Sequence, residues 1–151
     1  MNIGSKSRYP ASALSNFAPH PFVIYGVKCN SMEGFLQSLK CKYPRIQIEI
    51  CKLVGLAAKY KGKKYKWWKD GIVYWNGRAI DRHGDEYQKL LDTAFTELYN
   101  QSQSFRKALK ATGMSLLTHT IGKTNPKETI LTQSEFCYRL KMLRDYGQIP
   151  A

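Results

Sequence analysis

Asn30-Ser31-Met32-Glu33-Gly34-Phe35-Leu36-Gln37-Ser38-Leu39-Lys40 is the stretch whose periodicity decides the fold. Asn30 or Ser31 suits an N-cap, since a short polar side chain accepts a hydrogen bond from an otherwise unpaired first-turn amide. Behind it Met32, Phe35, Leu36 and Leu39 recur at helical spacing and predict one apolar stripe turned to a core. At about 100° per residue, Glu33, Gln37 and Lys40 form a polar stripe beside it. An acid, an amide and an amine aligned along one edge can polarise a substrate, hold its hydroxyls and supply a nucleophile or a cation. The same residues have a plain structural reading. Glu33 stands where a capping-box glutamate following Asn30 would stand, and Lys40 where a solvated lysine near a helix C-terminus would.

Outward from this helix, Phe22-Val23-Ile24-Tyr25 is a β-branched and aromatic run closed by Gly26, and Val27-Lys28-Cys29 returns beside it, which predicts a hairpin. Upstream, Pro10, Pro19 and Pro21 forbid a continuous helix, so residues 1–22 read as an ordered loop. Downstream, Pro44 opens a second helix whose face is Ile46, Ile50, Leu53, Val54 and Ala57 and which should end before Gly62. From Tyr60 to Asp85 the periodicity vanishes, as in a loop or short irregular strands. Tyr87, Leu90, Leu91, Ala94, Phe95 and Leu98 restore a helical face, and Phe105 and Leu109 continue it to a stop at Gly113. Ser115 to Thr120 has the character of a strand leading to an Asn125-Pro126 turn. Thr132-Gln133-Ser134-Glu135 is a capping box before a last helix carrying Phe136, Leu140 and Leu143. The sum is an α+β, mostly helical fold with a few short strands, in one compact domain over residues 1–151.

Hydrophobic residues at 43% and aromatics at 13% separate this chain from a disordered one of similar charge. Twenty-four Lys and Arg against 11 acidic residues give a formal net charge of +13, so the expected partner is anionic. Lys59-Tyr60-Lys61-Gly62-Lys63-Lys64-Tyr65-Lys66-Trp67-Trp68-Lys69 is the clearest anion signal: no acidic residue occurs between Glu49 and Asp70. Cations interleaved with rings can follow phosphates while stacking bases. The bland alternative is a solvated loop anchored to the core by Trp67 or Trp68. Cys29, Cys41, Cys51 and Cys137 form no C-x-x-C pair and no cluster with His20, His83 and His119, so no metal site and reduced, intracellular thiols are expected. No stretch has the length and apolarity of a membrane span, and a cytoplasmic location is expected. His119 has no partner at fixed spacing and reads as a core or surface histidine. Nucleophile-elbow and phosphate-loop motifs are absent from the sequence.

Leu14-Ser15-Asn16-Phe17-Ala18, the strand with Gly26, and Ser31 to Lys40 together resemble the NADAR, or YbiA-like, family, in which S-N-F precedes a strand-turn and a helix that begins S-x-E and reaches a lysine seven residues after the glutamate. Weaker similarity runs through Ala57 to Gly62, Glu86 to Tyr99, Leu109 to Gly113 and Leu143-Arg144. The chain departs from the pattern after His119-Thr120, where many members carry W-G-D-G and this one has Ile121 to Leu131. The resemblance implies a YbiA-like domain and an N-glycosidase that needs no metal or cofactor. Its substrate would be ADP-ribosylated nucleic acid or an ADP-ribose-like nucleotide, with release of ADP-ribose from guanine in DNA or RNA. Glu33 and Lys40 fit the catalytic positions. Asn16 and Phe17, in the loop before the strand, would position sugar or base; as plain structure they are an Asx-turn residue and a core plug. Gln37, Lys59, Trp67 and Trp68 complete the expected substrate contacts. Two other readings stay open: hydrolysis of phosphorylated riboflavin-pathway intermediates, and a non-enzymatic basic nucleic-acid-binding module.

Overall fold

In the computed structural model, which describes residues 1–151, the chain is α+β and mostly helical. Two hairpins are set among six helices: β1 (Phe22–Ile24) with β2 (Val27–Cys29), and β3 (Ile72–Trp75) with β4 (Arg78–Asp81). Each is antiparallel, pairing Phe22 with Cys29 and Ile72 with Asp81 at its open end. Each turns through two residues at positive φ, Tyr25-Gly26 (47° and 78°) and Asn76-Gly77 (50° and 81°). That backbone matches the right-handed twist of the strands, which is why glycine fills the second place of both. The second hairpin gives the expected short strands of the 60–85 region their place.

Helix α1 (Met32–Ser38) lies at the centre, with Met32, Phe35, Leu36 and the following Leu39 all buried. Phe35 packs between Phe22 (ring centroids 6.3 Å apart) and Trp75 (5.3 Å), so one side chain joins both hairpins to the helix. Helix α4 (Asp85–Gln101) contributes Tyr87, Leu90, Leu91, Ala94, Phe95 and Leu98 to the same core, and α5 (Gln103–Ala111) adds Phe105 and Leu109. Gly113, at φ 60°, stands just beyond α5 as expected.

The single helix expected from Pro44 toward Gly62 is instead two, α2 (Pro44–Cys51) and α3 (Gly55–Gly62). The α1 N-terminus explains the break. Ser31 Oγ donates to the Leu53 carbonyl (2.9 Å), Asn30 Nδ2 to that of Lys52 (2.8 Å) and the Asn30 amide to that of Cys51 (2.9 Å). These donors satisfy carbonyls that a helix end leaves without partners. Gly55, at φ 59°, then redirects the chain. Gly34 permits the approach: a Cβ there would lie 2.6 Å from the Leu53 carbonyl oxygen and 2.8 Å from that of Cys51.

Residues Ser115 to Thr120 are a second correction. They form no strand; Thr118 makes one isolated bridge to Asn2, where Ile3 N–H donates to the Thr118 carbonyl at 2.8 Å. The capping box on α6 (Gln133–Tyr146) is present in both directions, and Glu135 has a further task. Arg82, buried over the Tyr87 ring, donates to both Glu135 oxygens (2.7 and 3.0 Å) and to the Thr129 carbonyl. One guanidinium thus ties the 129–131 segment and the start of α6 to the β4–α4 junction.

Candidate active site

Ser31 is the N-cap of α1, accepting from the Gly34 amide at 3.0 Å, so the third helical position is a glycine and no capping box exists. The Glu33 carboxylate is therefore free of that duty. Its Oε2 accepts from Gln37 Nε2 at 2.8 Å, along the polar stripe read from the sequence. Gln37 is buried, and its Oε1 has no hydrogen-bond partner. Gly62 lies directly against that amide: a Cβ on residue 62 would fall 2.0 Å from Oε1. Thus α3 approaches α1 closely enough to fix Gln37, and Gln37 in turn orients Glu33.

The loop before β1 returns to this helix. The Glu33 amide donates to the Asn16 carbonyl at 3.0 Å, so the contact from Asn16 is made by its backbone. Phe17, half-buried, lies 3.7 Å from where a Gly55 Cβ would stand, at the start of α3. Its amide is held by Ser15 Oγ at 3.2 Å.

The charged groups around Glu33 perturb one another. Burial pushes its carboxyl above the ordinary value, while the Gln37 hydrogen bond and the charges of Lys40, Lys59 and His119 pull it back in part. Burial holds the Lys40 amine below its ordinary value; Glu33 opposes that and Lys59 adds to it. Neither Glu33 nor Lys40 belongs to an ion pair, unlike the charges at two open grooves elsewhere. The groove of about 590 Å³ between Met114–Leu117 and α6 carries Lys141 bonded to Asp145 at 2.8 Å. The one of about 460 Å³ beside Trp75 carries Arg78 bonded to Glu86 at 2.5 Å. Half-buried, mutually perturbed groups outside any ion pair make the Glu33 region the candidate site.

Sequence periodicity gave no hint of His119, which reaches Glu33 electrostatically from the far end of the chain. Its Nδ1 bonds the Ile3 carbonyl at 2.8 Å and its ring meets Phe136 edge-on at 5.0 Å. With Nδ1 so engaged, Nε2 is the free ring nitrogen. The partner is 116 residues away in sequence, so no local spacing could have flagged it. Among the other expected contacts, Lys59 is exposed on α3 and acts on both Glu33 and Lys40. The two tryptophans divide. Trp67 is 6% exposed within the core cluster, which corrects its assignment as a substrate-stacking ring, whereas Trp68 is 53% exposed. No group of three metal-ligating side chains occurs, and no helix is long and apolar enough to cross a membrane.

The fold is similar to that in the NMR structure of the E. coli protein YbiA, with a TM-score of 0.62 at 18% identity, covering 96% of this chain and 82% of that one. In sequence, the chain is 40% identical over 147 residues to an uncharacterized 17.1 kDa protein from the Gp30-rIII intergenic region of Enterobacteria phage T4, covering 96% of this chain and 97% of that protein. The family model described as bacteriophage protein GP30.3 matches residues 8–145, and the chain belongs to that family.

Proposed function

We propose that this protein is an N-glycosidase that hydrolyses a ribose–base bond and removes ADP-ribose from guanine in DNA or RNA. The observation that carries the proposal is the Glu33 carboxylate: half-buried, held by Gln37, outside any ion pair, raised in pKa by burial and drawn back in part by the charges of Lys40, Lys59 and His119. Cleavage of an N-glycosidic bond builds positive charge on the sugar, and a carboxylate fixed beside C1′ stabilises that charge. As the C1′–N bond breaks, its electron pair stays on the base nitrogen, which takes up a proton. Water supplies the hydroxyl that completes C1′, and Glu33 accepts the proton that water gives up and passes it on to the base nitrogen, which leaves the carboxylate ionised again.

Lys40 has a second means of reaching C1′. An amine held below its ordinary pKa is neutral more often; it can add to C1′ of the ring-opened base–ribose imine and displace the base, its two protons passing to the departing nitrogen as the Lys40 Schiff base forms, and water then hydrolyses that Schiff base back to the free amine and the aldehyde. The similarity of Ser31–Lys40 to the NADAR pattern supports this assignment of roles, and the net charge of +13 supports a polyanionic substrate. One protein sample assayed on ADP-ribosylated DNA, ADP-ribosylated RNA and phosphorylated riboflavin-pathway intermediates tests the proposal. Release of ADP-ribose from guanine supports it; turnover of the small metabolites alone contradicts it.

A further inference from the structure

Both site lysines begin exposed basic runs. Lys40 leads into Lys42 and Tyr43 at the start of α2, and Lys59 leads along α3 toward Lys64, Tyr65, Trp68 and Lys69. The two runs meet. Gly62, two residues before Lys64, packs directly against Gln37, three residues before Lys40, so both runs leave the same contact between α1 and α3. Three rings along these runs each carry a lysine over the face: Lys42 over Tyr43 at 5.5 Å, Lys64 over Tyr65 at 5.3 Å and Lys69 over Trp68 at 5.9 Å. Tyr43 is 56% exposed and Trp68 53%. None of these lysines is engaged by a carboxylate, since all five ion pairs lie beyond residue 77.

Unengaged cations gain by neutralising phosphates, and a lysine held against a ring keeps its charge beside the face on which a base would stack. Duplex bases are already stacked on each other and offer their faces to no protein ring, whereas unpaired bases do. We infer that Tyr43, Tyr65 and Trp68, with the lysines over them, form a track for single-stranded nucleic acid leading to the Glu33–Lys40 site. This rests on the reading of the substrate as nucleic acid and narrows it to unpaired strands. Trp67 anchors the track from beneath by filling the core, which leaves its neighbour outward.

Fluorescence anisotropy with labelled, unmodified oligo(dT) and oligo(rU), against a duplex of equal length, tests the inference on the full chain. Either single strand should bind at least tenfold more tightly than the duplex. Tyr43→Ala and Trp68→Ala should each weaken single-strand binding by about 5- to 150-fold, the range for one lost stacked base. Both side chains are more than half exposed, so folding is not at stake, and Trp68→Phe, which keeps a ring, should restore most of the affinity. Duplex bound as tightly as single strands, or both alanine variants binding like wild type, overturns the track. The strands are unmodified, so the assay reads binding without turnover. A failed track with intact hydrolysis therefore leaves the glycosidase standing, and an intact track without hydrolysis leaves the protein a binder only.

Discussion

Gln37 occupies the space that a side chain on residue 62 would need: its Oε1 lies 2.0 Å from the Cβ position of Gly62, while its Nε2 holds the Glu33 carboxylate at 2.8 Å. Gly62 has helical backbone, so alanine would ordinarily stabilise α3 by about 0.5–1 kcal/mol. Here Gly62→Ala should do the reverse. Overpacking typically costs about 1–3 kcal/mol, so a net loss of about 0.5–2 kcal/mol is expected in denaturant unfolding. Displaced Gln37 releases Glu33, and hydrolysis should fall with it. A stabilised, fully active variant would show that this contact does not orient the carboxylate.

Arg82→Ala should be among the most damaging single substitutions. The guanidinium is 1% exposed and its partner Glu135 13%, and removing one member of such a pair leaves the other charge buried, at a cost of about 3–5 kcal/mol. Burial raises the Glu135 carboxyl, but hydrogen bonds from Arg82, the Thr132 backbone and Gln88 outweigh it and hold the group below its ordinary value. Its contribution to stability is therefore present above the unfolded pKa and lost as pH falls through the lowered folded one. Hydrogen exchange should accelerate first at 129–135, where Arg82 makes its bonds.

Borohydride added during turnover should trap a sugar adduct on Lys40, identified by mass spectrometry of the digested protein. Burial holds the amine below its ordinary pKa, which raises the share of the neutral, nucleophilic form. Absence of an adduct together with an active Lys40→Arg variant would leave Lys40 a fixed charge rather than a nucleophile.

The raised pKa of Glu33 has opposite consequences for activity and stability. Above it the carboxylate is available as a base, so the acid limb of kcat/KM should lie above the ordinary value of 4.5 and be absent from residual Glu33→Gln activity. The same ionised group is unfavourable to bury. Between the unfolded value and the raised folded one the native state binds the extra proton, so wild type loses stability as pH rises through that window. Glu33→Gln should unfold at higher denaturant than wild type near neutral pH, with the difference vanishing below 4.5.

Which parts of this molecule can be read from sequence follows from the range of the interactions involved. Met32, Phe35, Leu36 and Leu39 announce α1 because periodicity is local, and Thr132 with Glu135 announces α6 for the same reason. Asn76-Gly77 between two β-rich runs was an equally local signal for the second hairpin. The break at residues 52–54 is not local: it exists because Asn30 and Ser31 take the carbonyls of Cys51, Lys52 and Leu53. The hold on His119 is likewise remote, since its ring bonds the Ile3 carbonyl 116 residues away in sequence. Trp67 and Trp68 are chemically alike in sequence, and only the packing of the short turn that holds them sends one inward and the other out.

ADP-ribose released from guanine-ADP-ribosylated oligonucleotides, followed with wild type and Glu33→Gln side by side, reports whether Glu33 carries the hydrolysis. Wild type should release it, and the variant, folded and able to bind the oligonucleotide, should be slower by at least about 10²-fold, the lower range for a lost acid–base group. Full activity in Glu33→Gln, or a wild-type protein that leaves both the DNA and the RNA substrate intact, would contradict the account.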